Sequence, residues 1–396
     1  MSLSLKKADE FFAGRAPVYR SWRQHLHRNP EVAFEERDTA AFLVERLGEM
    51  GLPVRHGLAG TGVVASLKGT AAGPHIGFRA DMDALPLQEQ TSLPYRSSRP
   101  GVTHACGHDG HMTMLLAAAD YLSRQEDFAG TLHFIFQPAE EAAGGGRVMV
   151  QEGLFDEAPC DLVFGLHNWP GLEKGRIAVQ PGAMMAAMDL FRMTVRGEGV
   201  HAALPHLGTD TIVAAGALTQ ALQAIVSRAI DPHRPLVLSI TQIHGGQSLN
   251  ALPDSVELRG TLRYFDDEVA KIAHRRMGEI TEGIARTHAV RIDIEITPQY
   301  PVTSNDTDAA GIMLRAAGLS PIGEEAITRF PPSMASEDFA FMLSARRGAY
   351  AWIGNGRSTA LHNPEFDFND EILPLGARYW VALAETCQSE NRGEER

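Results

Sequence analysis

With 396 residues, the chain exceeds the size at which a single hydrophobic core stops growing, so two domains are expected. Its residues are 44% apolar and 21% charged, an ordinary balance for a soluble globular protein. The net charge of −13 comes from interspersed acids and bases, with no cluster of Lys and Arg to meet a phosphate backbone or an anionic membrane; neither nucleic acid nor membrane is an expected partner.

The first thirty residues are mixed and charged, without the apolar stretch and cleavage site of a secretory signal. No segment approaches the roughly eighteen uninterrupted apolar residues of a membrane span. Cys106, Cys160 and Cys387 are an odd, widely spaced set, which argues against a disulfide framework and for a reducing compartment. Together these features predict a cytoplasmic protein.

Helical spacing of Phe11, Tyr19, Trp22 and Leu26 predicts a helix over 8–28, and a second over 36–50 is ended by Gly51 and Pro53. Apolar strands are expected at 61–67 and 75–78, then a strong helix at 112–122. Further strands are expected at 131–136 and 162–166. Strands alternating with helices predict an open α/β sheet, in which ligands collect at strand C-terminal ends. Asp81-Met82-Asp83, Glu140-Glu141 and His167 all follow such strands. From Asp189 the order becomes βαββαβ: strands at 189–196, 235–244, 254–264 and 290–297, with helices at 210–229 and 268–287. That is the ferredoxin-like pattern of a compact inserted unit. The expected division is a catalytic domain of residues 1–186 and 299–396, with a mixed, mostly parallel sheet flanked by helices, and an α+β lid or dimerisation domain of residues 187–298. The catalytic part resumes with helices at 309–317 and after Ser336-Glu337-Asp338, a strand at 350–353 and a helix at 375–385. Residues 388–396 are expected to fray.

The run His104-Ala-Cys-Gly-His-Asp-Gly-His111 packs three imidazoles and a cysteine into one short loop. Thiolate and imidazole are preferred ligands of metals such as Zn, Mn, Co or Ni, and a nearby carboxylate pair can supply both a ligand and a general base. Any one of these histidines could be structural; four metal-type side chains together read as a metallohydrolase site. A Glu-Glu pair is commonly a solvated charge pair. Here the apolar strand Phe134-Ile-Phe136 before it and the Gly144-Gly-Gly146 run after it argue for a buried, closely approached segment.

Phe78-Arg-Ala-Asp-Met-Asp-Ala-Leu-Pro86, His104 to His111, Gln137-Pro-Ala-Glu-Glu141, His167-Asn168, Ser336-Glu-Asp-Phe339 and His362-Asn-Pro364 occur in that order. This set resembles the N-acyl-amino-acid amidohydrolases of the aminoacylase and carboxypeptidase metallopeptidase group, nearest the branch of hippurate hydrolase and the auxin-conjugate hydrolases. The resemblance spans residues 15–385. It implies two divalent metal ions per chain (Mn, Zn, Co or Ni), bridged by the Cys106 thiolate. His108 and His167 would hold one ion, and Glu141 and His362 the other. Glu140 would be the general base. Distant members carry His-x-Asp where this chain has Asp81-Met82-Asp83, so His108 would substitute for the displaced ligand. Asp83 would orient a ligand histidine, and Asp81 is unassigned. His104, Asp109 and His111 are expected to support the ligands or cap a helix. His201, in Gly197 to His206, would donate a hydrogen bond to the oxyanion in a partner subunit's site, with Val200 standing where the motif usually has a second Gly. Asn250 and Arg263 would hold the substrate carboxylate. Ser336 to Asp338 would cap a helix and support His362, and Gly354-Asn355-Gly356 would line an acyl pocket.

The implied reaction is hydrolysis of the amide of an N-acyl amino acid by a homodimer or tetramer of dimers. Three other readings stay open: a dipeptidase or carboxypeptidase-like enzyme on the same site, a metal-binding relative without turnover, and a Cys106 nucleophile paired with a histidine.

Overall fold

A computed structural model describes residues 5–125, 127–141, 144–319, 321 and 327–394. The chain divides into two compact units. The first comprises Met1–Met184, Thr303–Pro331 and Asp338–Arg396; the second comprises Met185–Val302 and Pro332–Glu337.

The first unit opens with helices α1 (Leu5–Arg28) and α2 (Arg37–Glu49) and strands β1 (Val54–Leu58), β2 (Gly62–Lys68) and β3 (Ala71–Asp81). Next come α3 (His108–Leu122), β4 (Ala129–Gln137), α4 (Gly145–Gln151), α5 (Leu154–Glu157), β5 (Leu162–Pro170), β6 (Ile177–Ala178) and β7 (Gly182–Met185). The second unit holds β8 (Ala187–Arg196), β9 (Val200–His201), α6 (Thr211–Ala224), β10 (Leu236–Gly245), β11 (Ala251–Leu252), β12 (Ser255–Tyr264), α7 (Asp267–His288) and β13 (Arg291–Tyr300). The chain then returns to the first unit with β14 (Thr303–Asn305), α8 (Thr307–Gly318), β15 (Ile327–Thr328), α9 (Ala340–Ala345), β16 (Arg347–Gly356) and α10 (Leu373–Glu394). Helix α10 thus continues well past residue 385; residues 395–396 of the expected frayed tail lie outside the described residues.

Eight strands make one mixed sheet in the order β1-β2-β4-β3-β5-β16-β6-β15. Its centre, β4-β3-β5-β16, is parallel, and β1 and β2 add antiparallel. The central strands are continuous apolar runs because both faces are covered. Phe78 of β3 packs on Trp380 of α10, with ring centroids 5.2 Å apart, while the next residue, Arg79, points to the other face and lies over the Phe339 ring just before α9. Helices α1, α3 and α10 share the core under the first face, and every residue of α3 is buried. The register sets Asp81 level with Gln137, so β3 and β4 end side by side and the loops after them meet. Strand β5 runs further than the apolar pattern predicts, because His167 to Pro170 keep pairing with Trp352 to Gly356 of β16. His167 and Asn168 therefore sit inside a strand, with the rigidity that brings.

The second unit has a four-stranded antiparallel sheet, β10-β12-β8-β13, in the βαββαβ order. Strand β8 alternates cleanly: Phe191, Met193 and Val195 join the core with Leu218 and Leu222 of α6 and Met277 of α7. The open face carries cross-strand ion pairs, Arg192–Glu295 at 2.7 Å and Arg196–Asp293 at 3.0 Å. Asp210 and Asp266 begin the two helices by accepting the main-chain N–H groups of Val213 and Glu268. The segment Thr211–Ala229 is long and apolar enough to cross a membrane by length and composition, but here it contributes Ala214, Leu218, Leu222 and Ile225 to this core.

Candidate metal centre

The His104 to His111 loop folds as it does because two of its residues are glycines. Gly107, the residue before α3, has φ +92°, in the left-handed region, and a Cβ there would lie 2.4 Å from Asn168 Nδ2. A Cβ on Gly110 would lie 2.2 Å from the Phe368 ring. This turn lets Cys106 and His108 present their side chains to one point. His108 Nδ1 donates to the Asp83 carbonyl at 2.8 Å, and His167 Nδ1 donates to the Asn168 carbonyl at 2.6 Å. With Nδ1 engaged on each ring, Nε2 is the nitrogen left to face a metal. His167 Nε2 lies 3.4 Å from Cys106 Sγ, and His108 Nε2 is buried with no hydrogen-bond partner.

Glu141 completes the cluster. The donor atoms of Cys106, His108 and Glu141 all lie within 4.8 Å of one another. Glu141 Oε1 is 3.1 Å from His362 Nε2, yet the pair is not aligned as a hydrogen bond and Oε1 counts as buried and unsatisfied. An imidazole nitrogen and a carboxylate oxygen this close, without hydrogen-bond alignment, suit a common cation. His362 has φ +62°, is about half exposed, and is tied to the same loop through its N–H on the Ala105 carbonyl at 2.8 Å. The charges fit the same reading. Burial disfavours ionised His108, but Asp81, Asp83 and Glu141 push its pKa up to about 10. Burial, Glu141, Glu140 and Asp81 push the Cys106 thiol well up. Burial and His111 keep His167 neutral. Acids that hold protons on the Cys106 thiol and the His108 ring are the negative charge a divalent cation would neutralise in their place.

Other expected residues fall differently. His111 donates from Nδ1 to Asp81 Oδ1 at 2.6 Å and accepts from Asn168 N and Nδ2 at 2.9 Å, so both ring nitrogens are engaged in holding Asn168 beside His167. Asp81 also accepts from Arg79 Nη1 at 2.9 Å. Asp83 holds His108 through its main-chain carbonyl, its carboxylate lying 3.5 Å from the same Nδ1, and that carboxylate also accepts the N–H groups of Glu140 and Glu141, each at 3.0 Å. His104 is buried with neither ring nitrogen hydrogen-bonded, and burial brings its pKa down to about 4. Asp109 accepts from His27 Nδ1 at 2.8 Å and Arg23 Nη1 at 3.4 Å. Asp338 does not cap α9, whose N-cap Phe339 has no side-chain cap bond. It accepts from Arg79 Nη2 at 2.9 Å, from Gln137 Nε2 and from the N–H of Gly146 at 2.8 Å, joining β3, β4 and the start of α4 beneath the centre. Asn355, buried at the end of β16, accepts from Asn369 N at 2.9 Å.

His201, Asn250 and Arg263 belong to the second unit. His201 pairs with Ala251 in the β9–β11 ladder, next to Asn250, and both are exposed. Arg263, near the far end of the ten-residue β12, is held by the Met334 carbonyl at 2.9 Å and Ser336 Oγ at 3.2 Å. The length of that strand, about 30 Å, separates it from the ladder, so within one chain these residues do not form a single carboxylate pocket.

Sequence reasoning missed Glu36 and the roles of Arg79 and Gln137. Their signal was a charged or amide residue beside or inside an apolar run.

Comparison with known proteins agrees with this geometry. Hippurate hydrolase of Campylobacter jejuni subsp. jejuni is 41% identical over 363 residues, covering 91% of this chain and 94% of that protein. N-acetyl-L-cysteine deacetylase of Bacillus subtilis is 39% identical over 360 residues, covering 91% and 85%. The crystal structure of Bacillus subtilis YXEP protein, described as a dinuclear metal binding peptidase from the M20 family, superposes with a TM-score of 0.84 at 32% identity, over 94% of this chain and 98% of that one. The profile of peptidase family M20/M25/M40 matches residues 77–386, which take in the His/Cys loop, the Glu pair and His362. A donor cluster of this make-up at the strand ends of this fold, within that match, makes the chain a member of peptidase family M20/M25/M40.

Proposed function

We propose that this protein hydrolyses the amide bond of N-acyl amino acids to a carboxylate and a free amino acid, with two divalent metal ions held by Cys106, His108, Glu141, His167 and His362. The observation that carries the reading is the convergence of ligand atoms from Cys106, His108 and Glu141, with Glu140 just before Glu141 on a turn pinned by Asp83. The names of the relatives support it: one is a hippurate hydrolase and the other an N-acetyl-L-cysteine deacetylase.

Two divalent cations, when bound, supply Lewis acidity toward an amide carbonyl and toward water. Glu140 removes a proton from the attacking water as its oxygen bonds to the acyl carbon. The C–N bond then breaks, and Glu140 returns the proton to the leaving nitrogen, so no covalent enzyme intermediate is needed. His201 donates to the oxyanion, and Asn250 and Arg263 receive the substrate carboxylate. With Arg263 remote from the β9–β11 ladder in one chain, His201 and Asn250 serve a partner subunit in a homodimer or tetramer of dimers. An odd count of three buried cysteines, a poor basis for a disulfide framework, supports a cytoplasmic location. Neither nucleic acid nor membrane has a part in this reading. Ligands of thiolate, imidazole and carboxylate accommodate Mn, Zn, Co or Ni.

The test is release of free amino acid from N-acetyl and N-benzoyl amino acids, and from dipeptides, by chelated enzyme before and after return of each metal. Hydrolysis of the acyl amino acids only after metal return is expected, with Glu140→Gln lowering kcat by about a hundredfold or more at unchanged metal content. Activity confined to dipeptides would replace this reading with a dipeptidase. Activity indifferent to chelation but blocked by thiol alkylation would replace it with a Cys106 nucleophile.

A further inference from the structure

We propose that Glu36 is a positioning residue for the base: from the residue before α2 it holds the main chain of the Pro138–Glu141 turn so that the Glu140 carboxylate meets the reacting water. The proposal rests on the reading of Glu140 as the base.

Glu36 is fully buried. Its Oε1 accepts the N–H of Ala139 at 2.9 Å, and its Oε2 accepts the Thr61 hydroxyl at 2.6 Å. The next two N–H groups, of Glu140 and Glu141, end on the two oxygens of Asp83. Three successive amides thus meet two buried carboxylates brought from different parts of the chain. The turn needs them. Ala139 is a non-glycine residue at φ +55°, a conformation in which successive N–H groups converge on one side and call for anionic acceptors. Its carbonyl is held in turn by Gly145 N at 2.9 Å.

Glu36 does nothing comparable for its own helix. It stands at the N-cap of α2 yet makes no side-chain cap bond there. Its carboxyl is committed instead to a turn 103 residues away in sequence. Burial, together with Asp83, pushes its pKa up to about 7 against the opposing bond from Thr61, so the residue sits where an acid is not comfortable. A buried acid that caps nothing locally and restrains one strained turn acts on what that turn carries, which is Glu140 followed by Glu141.

The experiment measures kcat, KM and bound metal for Glu36→Leu in the wild-type and Glu140→Gln backgrounds of the full-length holoenzyme. Loss of the acceptor should lower kcat at least about tenfold, as small misplacements of a reacting group do, with KM and metal content within about twofold of wild type. In the Glu140→Gln background the same change should cost less than about twofold, because Glu36 acts through Glu140. Glu36→Gln, which keeps an oxygen for Ala139 N–H, should recover most of kcat. An unchanged kcat in folded Glu36→Leu, an equal loss in both backgrounds, or loss of a metal equivalent would overturn the proposal. If Glu36→Leu does not fold, Thr61→Val takes its place with the same readouts, and an unchanged kcat there overturns it equally. Should Glu140→Gln itself stay active, the base assignment fails first, and the two failures are told apart.

Discussion

Cys106 shows how a single residue's chemistry depends on its surroundings. Burial and three neighbouring acids push its thiol up, and a bound cation, by displacing the proton, would favour the thiolate. Cys106→Ala should therefore lose at least one metal equivalent per chain, read by elemental analysis after gel filtration; an unchanged content would refute a bridging thiolate. Its candidacy as a metal ligand was visible because His108 stands two residues away and the pair flanks a glycine. His111 was equally visible in the same run, yet its role was not, since spacing cannot say which ring nitrogens are already bonded. Asp83 presents the same difficulty: it orients His108 by its carbonyl and restrains Glu140 and Glu141 by its carboxylate, and only coordinates separate the two functions.

At the scale of elements, the apolar spacing of α1 predicts its helix and its buried side, but not the polar join it makes beneath the His/Cys loop. Arg23, with no exposed side-chain surface, meets Asp109 at 3.4 Å, Asp367 at 3.2 Å and Asp370 at 2.7 Å. His27, equally buried, lies between Asp109 and Glu89. Burial alone would lower the His27 pKa, but bonds to Asp109 and Glu89 prevail and raise it from 6.5 to about 9. A raised folded-state pKa stabilises fully below the unfolded value and ceases to do so as pH rises through the folded one. Stability should thus fall between pH 6.5 and about 9, by at most about 3 kcal/mol. Urea unfolding across that range should show the decline and His27→Gln should remove it; identical profiles for the two proteins would exclude His27 as the cause. This join went unread because pairs such as Arg23 and Asp370 are 347 residues apart, and no local pattern links them.

At the scale of the whole molecule, every proposed metal donor lies in the first unit, and so do all four tryptophans, Trp22, Trp169, Trp352 and Trp380. Metal at about a hundred times its dissociation constant would add roughly 2.7 kcal/mol to that unit alone. Chelation should lower the fluorescence-monitored unfolding midpoint by several degrees, while the circular-dichroism component from the second unit, which has its own core, stays in place. A fluorescence midpoint insensitive to chelator would argue that these residues hold no metal. The residues by themselves determined the alternation of strands and helices, the change of pattern near Asp189, and the ligand types in the His/Cys loop, because hydrophobic periodicity and short-range spacing are local properties of the chain. Only the tertiary structure decided which nitrogen of each histidine faces the centre, that β5 carries His167 within a paired strand, and that Glu36, Asp83, Arg79 and Asp338 brace the turns around the site. Those outcomes follow from hydrogen bonds and burial between segments far apart in sequence, where each donor has several possible acceptors and packing selects one.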